Sequence, residues 1–174
     1  CDVYYDISFE RFPFSRKNIM AYRKLKKIMQ ENRYDIVHCH TPVGGVLARL
    51  AGKQCLHTRM IYTAHGFHFY KGASLLNWLL YYPVERICAH YTDTLITINK
   101  EDYQRASRFH LRNNGSVYNV PGVGINLDKY KRNYDLRSVK RKQLGLNTDT
   151  KFILTVGELS KRKNQNVLIK ALEK

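Results

Sequence analysis

The sequence predicts an α/β fold: a Rossmann-like parallel sheet with helices on both faces. Three observations carry that reading. Strand-like and helix-like segments alternate along the chain. Several of the strands are continuous apolar runs rather than period-two patterns, as in strands covered on both sides. Histidine, asparagine and glycine recur just past the strand ends, where open α/β sheets bind their ligands.

Taken in order, residues 3–7 read as a short strand. Ser15 is a prospective N-cap for a helix over 18–31, whose apolar face (Ile19, Tyr22, Leu25, Ile28 and Met29) opposes a face of lysines and arginines. Residues 34–40 form a strand that stops at Thr41-Pro42. A helix over 43–51 follows, with Gly44 and Gly45 in its first turn. The next strand, 59–63, ends at His65-Gly66. Residues 74–90 predict a long apolar helix, kinked or restarted at Pro83. A strand over 93–98 is capped by Asn99, and Lys100-Glu101-Asp102 opens a helix to about 108. Residues 116–120 make a strand running into Pro121-Gly122-Val123-Gly124. A short helix over 136–144, a strand over 151–156 ending at Gly157-Glu158, and a helix over 164–173 complete the chain.

Composition narrows the partners. Hydrophobic residues make up 44% and charged residues 25%, as in an ordinary folded domain, but 30 Lys+Arg stand against 14 Asp+Glu for a formal charge of +16. That field favours anions: nucleic acid, phosphate-bearing small molecules or an acidic membrane face. The basic residues are scattered over helix faces and loops without an arginine-rich tail, so no nucleic acid is expected as a partner. Cys1, Cys39, Cys55 and Cys88 form no CxxC pair, which predicts reduced thiols in a cytoplasmic protein rather than disulfides or a zinc site. The longest apolar run, 75–84, contains Asn77 and is too short to span a bilayer. The chain opens on Cys1 in apparent strand and closes in apparent helix, and it reads as part of a longer protein.

The chemistry concentrates in Tyr62-Thr63-Ala64-His65-Gly66-Phe67-His68-Phe69-Tyr70. An imidazole at a strand end can donate to a phosphate or sugar hydroxyl, or move a proton near neutral pH. The bland alternative for His65 is a core histidine with one satisfied bond. His38 and His40 lie two apart on one strand and share a face, but no third ligand at a matched distance makes a metal site evident. Gly122 and Gly124 resemble a phosphate-approach loop without completing a G-x-G-x-x-G fingerprint, and a plain turn is the alternative. Lys161, Arg162 and Lys163 precede a helix N-terminus, an arrangement that suits an anion or simply a solvated loop. The helix carrying Trp78, Tyr81 and Tyr82 is either core or an interfacial segment touching lipid.

Four stretches in order, Asp35-Ile36-Val37-His38-Cys39-His40-Thr41-Pro42, Thr63-Ala64-His65-Gly66-Phe67, Pro121-Gly122-Val123-Gly124-Ile125, and Val156-Gly157-Glu158-Leu159 with Lys163-Asn164, resemble family 4 retaining glycosyltransferases. The likeness is greatest to bacterial enzymes of capsular, exopolysaccharide and O-antigen assembly. It implies a partial GT-B fold: residues 1–148 as an acceptor-side Rossmann-like domain with its start missing, and residues 149–174 as the first strand and helix of a nucleotide-sugar-binding domain. It further implies His65 near the donor sugar and reaction centre, and Gly122, Gly124, Lys163 and Glu158 on the donor side. Glu158 stands where the family usually has arginine, which weakens the diphosphate site or moves its charge to Lys161 or Arg162. His40, Gly44 and Asn99 fall to the acceptor or cleft side.

The activity so implied is metal-independent transfer from a nucleotide sugar, a UDP-sugar for preference, to a lipid-linked or glycan acceptor, with no cofactor. The location implied is the cytoplasmic face of an anionic membrane. Two alternatives stand beside it: a non-catalytic module that binds acceptor or membrane, and a UDP-sugar epimerase on the same fold.

Overall fold

The computed structural model describes residues 2–122, 124–161 and 163–172. Its backbone divides into two units, Cys1–Gly124 and Ile125–Lys174.

In the first unit, α1 (Arg16–Asn32) begins where the Ser15 side chain accepts from Lys17 N. The helix buries Ala21 and Met29 and leaves most of its basic face in solvent. Strand β1 (Ile36–His40) leads into α2 (Pro42–Gly52), and β2 (Arg59–Ala64) leads through a loop into α3 (Leu75–Ala89). The Ser74 side chain caps α3, which runs as one element through Pro83. Strand β3 (Thr94–Thr97), α4 (Lys100–Ala106), a 3-10 turn (Arg112–Asn114) and β4 (Ser116–Asn119) follow.

The four strands are parallel and lie in sequence order, β1-β2-β3-β4. This is the parallel, Rossmann-like α/β sheet that the alternation predicts, although among the described residues its connecting helices cover one face and not the two expected. The residues expected as a first strand, 3–7, are not in it. Sequential order has a consequence for the helices. Right-handed crossovers that step always the same way leave every connecting helix on one face. The core is accordingly one cluster joining Met29, Ala48, Ala51, Ala89 and Ala106 of the helices to Cys39, Met60, Tyr62 and Leu95 of the strands. On the opposite face Ile36, His38, His40, Arg59 and Tyr118 are exposed.

Two polar links fix the layers. Arg49 of α2 is wholly buried, 2.8 Å from Glu85 of α3, with its guanidinium 3.9 Å above the Tyr62 ring. At the N-terminal end of the sheet Asp93 receives Met60 N at 2.7 Å and Arg112 Nε at 2.9 Å. Cys39, Cys55 and Cys88 are free and buried.

The second unit holds a 3-10 turn (Leu127–Tyr130), α5 (Tyr134–Gln143) and α6 (Gln165–Leu172). Helix α5 starts two residues earlier than the apolar pattern indicates, because the Asn133 side chain accepts from Leu136 N. None of its described residues is buried. The expected strand over 151–156 is absent, and the reason is physical. A parallel strand exists only with neighbours to pair with, and this stretch is the one strand-like segment in that unit. Cys1, Val123, Arg162, Glu173 and Lys174 lie outside the described residues, and with them the thiol at Cys1 and the alternative cation at Arg162.

Candidate functional site

The register of β1 against β2 builds the site. His38 sits opposite Ile61 and His40 opposite Thr63. Side chains two apart along a strand share a face, so His38, His40 and Thr63 point the same way. His65 continues the row just past the end of β2. The rings of His38 and His40 are 4.3 Å apart between centroids, and those of His40 and His65 are 5.4 Å apart. His40 Nδ1 and His65 Nε2 are 3.1 Å apart, and His38 Nε2 lies 2.8 Å from Thr63 Oγ1. Three imidazoles thus line the carboxyl ends of two adjacent strands.

The surroundings of His40 favour its neutral ring. Desolvation, then the neighbouring His38 and His65, hold His40 below the ordinary imidazole range. In a neutral pair one nitrogen donates and the other accepts, so the tautomer of His40 sets which His65 nitrogen carries hydrogen.

The backbone on either side of the row is unusual. Thr41, directly after His40, has φ 64° and ψ 150°, a region nearly reserved for glycine that costs a β-branched residue about 1–3 kcal/mol. Gly44 is in the first turn of α2, where a Cβ would come within 2.9 Å of Thr41 Oγ1. Gly66 has φ 140°, and a side chain there would meet nothing within 4 Å. The constraint at Gly66 is therefore the turn itself and not space.

Beyond Gly66 the loop is anchored twice. Phe67 and Phe69 bury stacked rings 4.6 Å apart. Asp102 accepts from Phe67 N at 3.0 Å, and Glu101 accepts from Lys71 N at 2.6 Å, both from the first turn of α4. Asn99 serves this clamp. Its Oδ1 accepts from Asp102 N at 2.8 Å, and its Nδ2 donates to Asp102 Oδ2 at 2.7 Å. Asn99 thus caps α4 and reaches the histidine loop through Asp102. His65 and His68 are left exposed between buried anchors.

Gly122, with φ 84°, and the exposed Gly124 follow β4 in the same unit. Glu158 and Lys163 belong to the second unit and are described with it. There the Gln165 side chain donates to Glu158 O at 2.9 Å, and Lys163 N donates to Ser160 O at 3.1 Å. A Cβ on Gly157 would lie 3.8 Å from Lys163 Cγ. The lysine stem therefore passes over Gly157, beside the Glu158 backbone.

Within the first unit the structure joins His40 to His65, sets Gly44 against the strained turn after His40, and ties Asn99 to the loop after His65. Two contributors escaped the sequence reading. Thr63 needed the strand register, and Asp102 acts from 35 residues away on Phe67. Among the described residues no group of three or more His, Cys, Asp or Glu side chains is arranged to hold a metal ion.

Comparison with known proteins bears on this site. A family model described as glycosyl transferase 4-like matches residues 2–99, more than half of the chain and all of the histidine row. EpsD of Bacillus subtilis strain 168, which carries the name of a glycosyltransferase, is 46% identical over 173 residues, covering 98% of this chain and 45% of that protein. An Escherichia coli protein named UDP-Gal:alpha-D-GlcNAc-diphosphoundecaprenol alpha-1,3-galactosyltransferase is 30% identical over 152 residues, 85% of this chain and 38% of that one. A D-inositol 3-phosphate glycosyltransferase of Xylanimonas cellulosilytica is 26% identical over 152 residues, 82% of this chain and 36% of that protein. This chain spans less than half the length of each of these relatives.

Proposed function

As this chain belongs to the glycosyl transferase 4-like family, we propose that it forms the acceptor-side part of an enzyme that transfers a sugar from a nucleotide donor in bacterial surface-polysaccharide synthesis. The carrying observation is the His40–His65 contact at the carboxyl ends of β1 and β2, within the matched residues. Family membership alone fixes a fold more firmly than a reaction, so the site has to support the reaction.

Donor and acceptor follow by analogy and chemistry. The donor is a UDP-sugar and the acceptor a lipid-linked or other glycan, in line with the printed name of the E. coli relative. As the bond from the anomeric carbon to the diphosphate breaks, negative charge grows on the leaving group. Fixed cations and amide donors stabilise such charge. By the resemblance, Lys163, with its stem over Gly157, is assigned that task, and Gly122 and Gly124 are assigned to the donor side. His65 contacts the donor sugar or the β-phosphate side. Retention of configuration and independence from metal are the finer parts of the proposal, and they rest on the resemblance. So does a peripheral position on the cytoplasmic face of the membrane, which the charge of +16 favours. Among the described residues no helix is long and apolar enough to cross a membrane.

Residues 149–174, within the second unit, are assigned to the opening of the nucleotide-sugar-binding domain. That none of the described residues of the second unit is buried favours a second reading for this chain taken alone, that it holds acceptor or membrane without turning over donor. Titration of the chain with UDP-sugar and with anionic vesicles, beside a transfer assay, separates the readings. Donor binding and transfer support the enzyme, whereas vesicle binding without either supports the module.

A further inference from the structure

The first unit contains a cavity of about 390 Å³ that the reaction chemistry above does not use. Its size is that of a small-molecule site. Phe12 and Phe14 close one side, Val46 and Leu47 of α2 another, and Leu80 and Val84 of α3 a third. The fourth wall is residues 66–69, the loop that leaves His65. Glu85 and Tyr62 also touch the cavity, but their polar atoms are engaged with Arg49 and with each other. The rest of the lining is mostly hydrocarbon, with His68 and Tyr81, whose rings stack 4.5 Å apart, adding an imidazole and a phenol.

The aromatic wall is held in place. Asn18, 3% exposed, takes Glu10 N on its Oδ1 at 2.9 Å and gives its Nδ2 hydrogens to the carbonyls of Glu10, Phe12 and Pro13. The α3 wall continues outward as an exposed stripe. Leu75, Leu76, Leu79 and Ile87 are 82%, 63%, 73% and 57% exposed. Such a patch marks a surface built to be covered. Cations adjoin it along the chain: Arg11, Arg16 and Lys71 are exposed within two residues of lining residues, and Arg86 is exposed on α3.

We propose that this cavity takes the hydrocarbon chain of the phosphate-linked lipid acceptor, leaving the anionic head to the cations adjoining it. The inference rests on the transfer reading and deepens it. An acceptor chain, rather than a bilayer lipid, is favoured because the cavity is an inward recess that shares a loop with His65. A flat bilayer would meet the outward stripe of Leu75, Leu76 and Leu79 instead. A second copy of the chain, or a segment of a longer protein, would need no adjoining positive charge.

The test uses farnesyl diphosphate as the probe and the fluorescence of Trp78, the single tryptophan. Trp78 packs 5.6 Å from Phe69, which lines the cavity. The expected result is a saturable change with farnesyl diphosphate and none with inorganic diphosphate. Val46→Phe, which fills the cavity, should weaken binding at least about tenfold, the equivalent of losing two buried methylenes. Phe12→Ala/Phe14→Ala removes exposed rings that the fold does not need, and should weaken it several-fold. Leu75→Ser/Leu79→Ser should leave it unchanged.

Equal binding by wild type and both cavity variants would overturn the proposal. So would binding confined to phosphatidylglycerol vesicles and lost in Leu75→Ser/Leu79→Ser, which would make the surface a bilayer anchor. Occlusion of the cavity by self-association, seen as a dimer that does not bind the probe, would overturn it too. Because the probe is read without donor, intact binding with no transfer activity sinks the transfer reading alone. Normal transfer to a lipid acceptor by Val46→Phe sinks the cavity proposal alone.

Discussion

His40 Nδ1 and His65 Nε2 are in hydrogen-bond contact across the ends of two parallel strands, 3.1 Å apart. The contact exists because the register sets His40 opposite Thr63, two residues before His65. It makes the state of one ring a condition on the other.

The first consequence is a pH dependence. His40 is held below its ordinary value of about 6.5 by desolvation first, then by His38 and His65. Between that folded value and about 6.5 the unfolded chain binds more protons than the folded one, so stability falls as pH falls through the window. The contribution is fully present above about pH 6.5. Histidine NMR should give His40 a midpoint below that of a model imidazole. His65→Ala should move the midpoint upward. A His40 midpoint at or above that of a free imidazole would contradict the desolvation and crowding of this ring.

The loop clamp makes a second prediction. Asp102→Ala strips the acceptor from Phe67 N and the partner from Asn99 together. An unsatisfied buried amide costs about 1–3 kcal/mol, and amide exchange at Phe67 should speed up by the corresponding factor. The exchange rate at Met60, which is bound to Asp93 instead, should change much less.

The buried Arg49–Glu85 pair makes a third. Removing one partner strands the other, so Glu85→Ala should destabilise the chain by about 3–5 kcal/mol in urea. Arg49→Met combined with Glu85→Leu should recover most of that loss. A double variant as unstable as the single one would show that the pair is needed for more than its charge.

A fourth concerns the thiols. Burial pushes Cys39 and Cys88 up to about 11 each. Thiolate is the reactive form, so at pH 8 both should resist alkylation until urea unfolds the chain. Rapid labelling of either residue in the native protein would contradict the packing around β1 and α3.

The sheet was legible because its central strands are apolar runs cut off by polar or glycine residues, as at Ile61-Tyr62-Thr63-Ala64-His65-Gly66. Residues 151–156 carry the same signal and form no strand, since a strand is a property of a pair and this one has no neighbour. Residues 3–7 likewise read as strand and stay outside the sheet. His65 was legible as a singular group at a strand end. Its contact with His40 was not, because facing is set by inter-strand register, which sequence spacing does not contain. Asn99 was legible as the stop after a strand; its side chain caps α4, and its path through Asp102 to Phe67 depends on α4 lying beside the loop.

The central claim is that this chain supplies the acceptor side and His65 of a sugar-transferring site. The most direct measurement is transfer of labelled sugar from UDP-sugars to a lipid-diphosphate acceptor by the full-length protein, with and without His65→Ala. Wild type should transfer label. His65→Ala, equally folded by circular dichroism, should be slower by about 10–100-fold, as expected for one lost hydrogen bond to a charged or reacting group. Equal rates in the two proteins, or no transfer by the wild type from any UDP-sugar, would contradict the account.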